Sequence, residues 1–333
     1  LSTQLRRRLA PLHEGPGYVA TIGSYDGLHR GHQALLALTR AQARQRGLAS
    51  LMVTFEPLPR EFFGRADPPA RLTSFRERWR LLQGPDGAAA GDAAGSPYGG
   101  LVDVVCVLRF CEALRRLEAP AFADLLGQAG VRHLVVGHDF RAARNGAADA
   151  AWLAAQGPAH GFSVEVVAPV LQGAERYSSR GVRAALQAGD LAAAEAQLGR
   201  PYSMRGRVRR GAQLGRELGY PTANLALLRR RPPLGGVFAV RVHAAGDDAL
   251  GRAGARGWPG VASLGVRPTI NGGAPLLETH LFDYNGDLYG REIEVRFVAR
   301  LRDELRFDTV AELVLQMDRD AAQARALLAN DEG

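Results

Sequence analysis

The 333-residue chain contains no lysine, so all 42 of its basic residues are arginine. A Walker-type phosphate loop needs a lysine to reach the β- and γ-phosphates, which excludes that class of nucleotide enzyme. Cysteine is scarce as well. The two present, Cys106 and Cys111, have no histidine or further cysteine at ligand spacing. A zinc site is therefore not expected, whereas buried free thiols in a reducing cytoplasm are. No apolar run reaches the ~18 residues of a membrane-spanning helix. Arg6, Arg7 and Arg8 lead into Pro11, His13 and Glu14, not into an apolar core, so a secretory signal is not expected.

Hydrophobic content of 46% and charge of 23% are ordinary for a globular protein, and the length suits two domains. A net charge of +8 raises the question of nucleic acid. The arginines are scattered, and their densest run, Leu228-Arg-Arg-Arg-Pro232, reads as a solvated loop. No basic stripe is interleaved with aromatics. Neither a nucleic-acid nor a membrane partner is expected.

Apolar runs at Tyr18–Ile22, Leu51–Phe55, Val102–Leu108, His133–Gly137 and Ser163–Ala168 read as buried strands. Helical patterns at Arg30–Arg46, Thr73–Leu82 and Ala121–Ala129 alternate with them. This predicts a parallel sheet covered on both faces, with ligands beyond the carboxyl ends of its strands. Gly84–Gly100 reads as a flexible surface insertion. An Ala-rich helix, Ala184–Leu198, closes this half. Short alternating runs follow at Ser203–Val208, Gly236–His243, Val261–Gly265, Glu278–Phe282 and Glu292–Leu301, and predict an antiparallel barrel. A final helix, Thr309–Leu328, is expected to pack on its outside. The fold class is α/β: residues 1–185 form the sheet domain, 186–200 a linker helix and joint, and 201–333 the barrel domain.

Two stretches carry chemistry. The first is Thr21-Ile-Gly-Ser-Tyr-Asp-Gly-Leu-His-Arg-Gly-His32, between a strand and a helix. Gly23, Tyr25, Asp26, Gly27 and Gly31 accompany His29 and His32 there. Imidazoles and backbone N–H groups at a helix start suit phosphate, and the strand–turn–helix context outweighs the reading of two surface histidines. The second stretch runs from Gly206 to Asn224. Gly206, Gly211, Gly215 and Gly219 permit tight turns and a lysine-free phosphate nest, and Pro221 stiffens the loop. Thr222 and Asn224 offer oxygens suited to a hard cation such as Mg²⁺. A glycine-rich hairpin with no ligand is the plainer alternative.

The pattern Gly-x-Tyr-Asp-Gly-x-His-x-Gly-His resembles the signature of bacterial bifunctional riboflavin kinase/FAD synthetases. Thr54-Phe-Glu-Pro57, Val136-Gly-His-Asp-Phe-Arg141 and Ser178-Ser-Arg-Gly-Val-Arg183 are similar to segments of the same half. Gly-Tyr-Pro-Thr-Ala-Asn224, Ser263–Thr269, Leu277–Asp283 and Leu301–Phe307 resemble the kinase half. The resemblance implies a Rossmann-like nucleotidyltransferase sheet followed by a riboflavin kinase barrel. It implies riboflavin, FMN and ATP as substrates, FMN and FAD as products, and Mg²⁺ as cofactor. His29 and His32 would hold the ATP phosphates, and Ser178, Ser179 and Arg183 would form a second phosphate clamp. Asp139 and Phe140 would lie at the flavin or ATP loop. Glu278 would be the base for phosphorylation, with Arg302 placing flavin or phosphate. Two departures stand out. Ala142-Ala-Arg-Asn-Gly146 is shorter than the family's Phe-Gly loop, and Arg180 replaces a threonine. They leave open a riboflavin kinase with weakened FAD synthesis. A flavin-nucleotide sensor or a basic RNA-binding protein is the non-enzymatic alternative.

Overall fold

The computed structural model describes residues 3–11, 15–64, 67–83, 100–173, 175–211, 215, 218–244, 256–266 and 275–330. The chain divides into two compact units. Unit 1 comprises residues 1–69 and 78–178, and unit 2 residues 70–77 and 179–333.

Unit 1 is built on β1 (Gln4–Arg6), β2 (Tyr18–Ile22), β3 (Ala49–Phe55), β4 (Val104–Leu108) and β5 (Val131–Gly137). A short antiparallel pair, β6 (Arg141–Ala142) and β7 (Ala148–Asp149), precedes β8 (Ser163–Val167). A second pair, β9 (Leu171–Gln172) and β10 (Glu175–Arg176), follows. The main sheet has the order β1-β4-β3-β2-β5-β8, and every pairing in it is parallel. Every residue of β2 is buried, as expected for a central strand with helices on both faces. The order reverses beside β2, with β3 on one side and β5 on the other, so a crevice opens beyond their carboxyl ends. The sheet gains one strand over the five predicted. β1 is only three residues long, with too few apolar positions to register as a periodic run.

Unit 2 is a closed barrel, β11-β12-β15-β14-β13-β16, with every pairing antiparallel. Its strands are β11 (Ser203–Arg209), β12 (Ala223–Ala226), β13 (Gly236–Ala244), β14 (Trp258–Val266), β15 (Pro275–Leu281) and β16 (Glu292–Arg302). In β15 burial alternates strictly: Leu277, Thr279 and Leu281 are buried, and Glu278 and His280 face the other way. The helix Val310–Asn330 packs outside the barrel, with Ala321, Ala324 and Leu328 against Ala239 and Phe282.

Three expectations change. The single helix Ala184–Leu198 is two, Ser179–Ala188 and Leu191–Leu198. Gly189 takes φ +76° and Asp190 caps the second by accepting from the Ala193 N–H at 2.8 Å. Both helices contribute to the apolar cluster of the barrel. The arginine run is not wholly solvated. Arg230 and Arg231 are exposed, but Arg229 is buried. It pairs with the Glu77 carboxylate and donates to Leu72 O at 3.0 Å and Tyr202 Oη at 2.8 Å. Burying a guanidinium demands such partners, and Leu72 and Glu77 come from a segment some 150 residues away. Of the two free thiols, Cys106 is buried and its pKa is pushed up to about 11 by that burial, whereas Cys111 is half-buried. The Gly84–Gly100 insertion lies outside the described residues, except for Gly100.

Candidate active sites

In unit 1, β2 delivers the chain into a loop of unusual backbone. Tyr25 (φ +49°), Gly27 (φ +87°) and Leu28 (φ +45°) are all left-handed, and Tyr25 and Leu28 are completely buried. Non-glycine residues in that region cost energy, and such strain concentrates at functional loops. Tyr25 is pinned by a 2.7 Å hydrogen bond with Thr21 Oγ1, and burial raises its pKa above the ordinary tyrosine value. Gly23, Asp26 and Gly27 lie in this loop, and Gly31 in the first turn of the helix Arg30–Arg46.

His29 is the N-cap of that helix, and its Nδ1 accepts from the His32 N–H at 3.3 Å. A neutral His29 therefore carries its proton on Nε2. The rings of His29 and His32 stack with centroids 3.6 Å apart, and Tyr25 lies 5.0 Å from His32 on the other count. His32 Nδ1 is buried with no hydrogen-bond partner. Burial, then His29, then Arg78 hold the His32 pKa well below 6.5. Its ring is neutral at pH 7, and two stacked imidazolium ions are avoided.

The structure thus brings both histidines together at a helix start, as the spacing predicts. Asp139 and Phe140 follow β5, on the other side of the crevice. Asp139 is exposed and accepts from Arg176 Nη2 at 2.9 Å, whereas Phe140 packs on the core of the sheet. The loop after it forms the β6–β7 hairpin. There Ala143 takes φ +63°, ψ −175°, a region essentially reserved for glycine. Ser178 ends unit 1. Ser179 and Arg183 lie on the first helix of unit 2, where Arg183 donates to Ala70 O at 2.5 Å and Ser179 O at 3.2 Å.

Two features of unit 1 escape the sequence reading. Phe55, Phe62, Phe63 and Phe110 cluster at the carboxyl ends of β3 and β4, with ring centroids 5.3–5.9 Å apart. Phe63 is 62% exposed, unusual for a phenylalanine held in a cluster. Arg78, by contrast, is 1% exposed and contacts Ser24, Thr54 and Glu56. Phenylalanines scattered over 56 positions and a single arginine among 42 carry no distinguishing sequence signal.

In unit 2 the predicted residues converge through strand register. Asn224 faces Glu278, Glu278 faces Ser263, Ser263 faces Val237, and Val237 faces Arg302. Directly opposed residues lie about 5 Å apart, so this is one continuous row over four strand pairs. The row lines a cavity of about 340 Å³, together with Thr222, Tyr220, Glu304, Phe307 and Met317. Asn224 is buried and its Nδ2 contacts Thr222 O at 3.4 Å. A Cβ on Gly211 would lie 2.6 Å from that same nitrogen, so any larger residue there would displace the Asn224 amide. Gly219 takes φ +83°, Gly215 O accepts from the Tyr220 N–H, and Pro221 O accepts from His280 Nδ1 at 2.9 Å. Gly206 lies inside β11 opposite Ile293, in a strand rather than a turn. Arg302 lines the cavity, but its guanidinium is gripped by the buried Asp320 at 2.6–3.0 Å. Ser263 and Asp320 are further residues of the site that sequence reasoning missed.

Among the described residues no cluster of three or more His, Cys, Asp or Glu could hold a metal. The donor set at Thr222, Asn224 and Glu278 is nevertheless all oxygen. Mg²⁺ takes few protein ligands and completes its shell with water and phosphate, so these residues fit it.

A sheet that presents paired histidines at a helix start, in one chain with a barrel that presents a carboxylate over an oxygen-lined cavity, defines a two-centre transferase acting on phosphates. Comparison with known proteins agrees. The riboflavin kinase family model matches residues 198–328, and the FAD synthetase model matches residues 13–90 and 96–181. A bifunctional riboflavin kinase/FMN adenylyltransferase from Pseudomonas fluorescens is 44% identical, over 96% of each chain. One from Escherichia coli K12 is 40% identical, over 97% of each. A crystal structure of a macrolide-efflux protein from Streptococcus pneumoniae is similar with a TM-score of 0.71 and 28% identity, covering 96% of this chain and 97% of that one. Among the described residues no helix is long and apolar enough to cross a membrane. The chain belongs to the family of bifunctional riboflavin kinase/FMN adenylyltransferases.

Proposed function

We propose that the barrel phosphorylates riboflavin to FMN with ATP, and that the sheet unit adenylylates FMN to FAD with release of pyrophosphate. The observation that carries the kinase reading is the row Asn224–Glu278–Ser263, which sets a carboxylate between hydrogen-bonding side chains on the cavity wall. Glu278 takes the proton of the ribityl 5′-hydroxyl as that oxygen attacks the γ-phosphorus, and ADP leaves. Thr222 and Asn224 would hold Mg²⁺, which supplies charge neutralisation for the phosphates when bound. The apolar part of the cavity, with Tyr220, Phe307 and Met317, suits the flavin ring. Arg302, fixed by Asp320, presents a rigid cationic edge to it.

In the sheet unit, His29 Nε2–H and the N–H groups of the helix start receive the ATP phosphates. A phosphate oxygen of FMN attacks the α-phosphorus, and the histidines stabilise the leaving pyrophosphate. The phenylalanine cluster beyond β3 and β4 offers the apolar bed for the ring of FMN. Ser178, Ser179 and Arg183 serve as a second clamp, and Asp139 as part of the nucleotide loop. The chain works in the cytoplasm, whose reducing conditions suit its free thiols.

The strained Ala143 and Arg180 favour a second reading, a riboflavin kinase with weakened or lost FAD synthesis. Supplying riboflavin, ATP and Mg²⁺ and separating the flavins chromatographically tests both. FMN followed by FAD is expected. FMN that never proceeds to FAD would leave only the second reading.

A further inference from the structure

Within Thr54-Phe-Glu-Pro57 only Phe55 has a role in the chemistry above, and a buried arginine lies against Thr54 and Glu56. We propose that Arg78 is a positioning residue for FMN adenylylation, its guanidinium bracing the histidine loop against the end of β3. The inference rests on the adenylylation reading and deepens it.

The geometry is that of a three-way tie. Arg78 Nη1 donates to the carbonyl oxygen of Ser24, inside the strained turn, and lies 3.4 Å from Thr54 Oγ1. Its Nη2 donates to Glu56 Oε2 at 3.1 Å. Thr54 Oγ1 in turn donates to the same Ser24 carbonyl at 3.2 Å. One carbonyl of the loop is thus held twice, from β3 and from the arginine. The Gly23 N–H adds a further tie to β3, donating to Val53 O at 3.0 Å.

A planar fork can reach a carbonyl, a hydroxyl and a carboxylate at fixed angles, whereas an ammonium cannot reproduce that spread. The Arg78 side chain is 1% exposed while that of Glu56 is 32% exposed, so the buried guanidinium is paired with a carboxylate that still touches solvent. The loop needs such a brace. Tyr25 and Leu28 hold positive φ just before His29, and an unbraced chain would relax out of that conformation.

The same charge acts on His32. The rings of His29 and Tyr25 lie beside His32, and the charge of Arg78 acts on it as well. After burial and His29, Arg78 is the third influence that disfavours protonation of His32. The brace therefore has a signature that mere packing lacks: removing its charge moves a titration elsewhere in the site.

The test uses the full chain with ¹³C-labelled histidine, as wild type, Arg78→Met and Arg78→Lys, with His32→Gln assigning the resonance. Histidine titrations are followed between about pH 5 and 8, and FMN-to-FAD turnover is measured over the same range. In Arg78→Met the His32 titration should move to higher pH, the acid limb of turnover should move with it, and turnover should fall at least ~10-fold. Arg78→Lys keeps the charge but loses the fork, so turnover should fall while the titration stays in place. Thermal unfolding followed by circular dichroism on the same samples reports folding. An unmoved His32 titration in folded Arg78→Met overturns the proposal. If Arg78→Met does not fold, unchanged turnover in Arg78→Lys overturns it, and reduced turnover with an unmoved titration supports it. Absence of FAD from the wild type would sink the underlying reading instead, and the His32 titration would then test the brace by itself.

Discussion

The two units fix their reactive side chains by different means. In the barrel, Asn224, Glu278 and Ser263 are neighbours because backbone hydrogen bonds pair their strands residue by residue. Their positions are as firm as the ladder itself. In the sheet unit, His29 and His32 stand at the start of a helix, beyond the reach of the ladder. There the work falls to left-handed residues, a capping imidazole and the ties to Arg78. A site built into strand register keeps its geometry under local change. A site built on a braced loop depends on a handful of side-chain contacts and carries its strain openly.

Several changes break or sharpen that contrast. Glu278→Ala should have the largest effect, lowering FMN formation by about 10³-fold through loss of the base while FMN-to-FAD conversion persists. His32→Ala should do the converse, cutting FAD formation by roughly 10²-fold, read chromatographically with FMN supplied. Asp320→Ala leaves the Arg302 guanidinium without its buried partner, and should destabilise the chain by about 3 kcal/mol in denaturant titration while slowing the kinase. Ala143→Gly relieves a backbone that glycine adopts freely, and should stabilise the chain by about 1 kcal/mol with little change in FMN formation.

The fifth effect is a pH dependence of stability. His32 and His243 both have folded pKa values below the unfolded 6.5, and burial is the main cause for each. For His243 the value falls to about 4. Below pH 6.5 the unfolded chain binds protons that the folded chain refuses, so stability falls as pH drops. The His243 contribution should be complete above pH 6.5 and lost on reaching about pH 4. Replacing His243 by Gln should flatten the slope in that window. An unchanged slope would show that this ring titrates normally.

Much of this was legible in the sequence because periodicity and motif agree there. The β2 run and the helix from Arg30 announce the histidine loop between them, and the alternation of Leu277 to Leu281 sets Glu278 on one face of its strand. β12 was not legible, since Tyr-Pro-Thr-Ala-Asn reads as a loop and Ala223–Ala226 becomes a strand only by pairing with β11 and β15. The break at Gly189 was hidden by alanines on both sides that would support a continuous helix. Arg229 read as solvated because its partner, Glu77, is brought to it only by the fold. Arg78 and the phenylalanine cluster were invisible for the same reason: side-chain ties across long sequence separations leave no local pattern.

The central claim is that the two activities rest on separate reactive groups, Glu278 for phosphorylation and the paired histidines for adenylylation. The most direct measurement mixes Glu278→Ala and His32→Ala chains with riboflavin, ATP and Mg²⁺. Neither variant alone should convert riboflavin to FAD, and the mixture should, with FMN passing from one chain to the other. A mixture that makes FMN but no FAD, or a Glu278→Ala chain that still makes FMN, would contradict it.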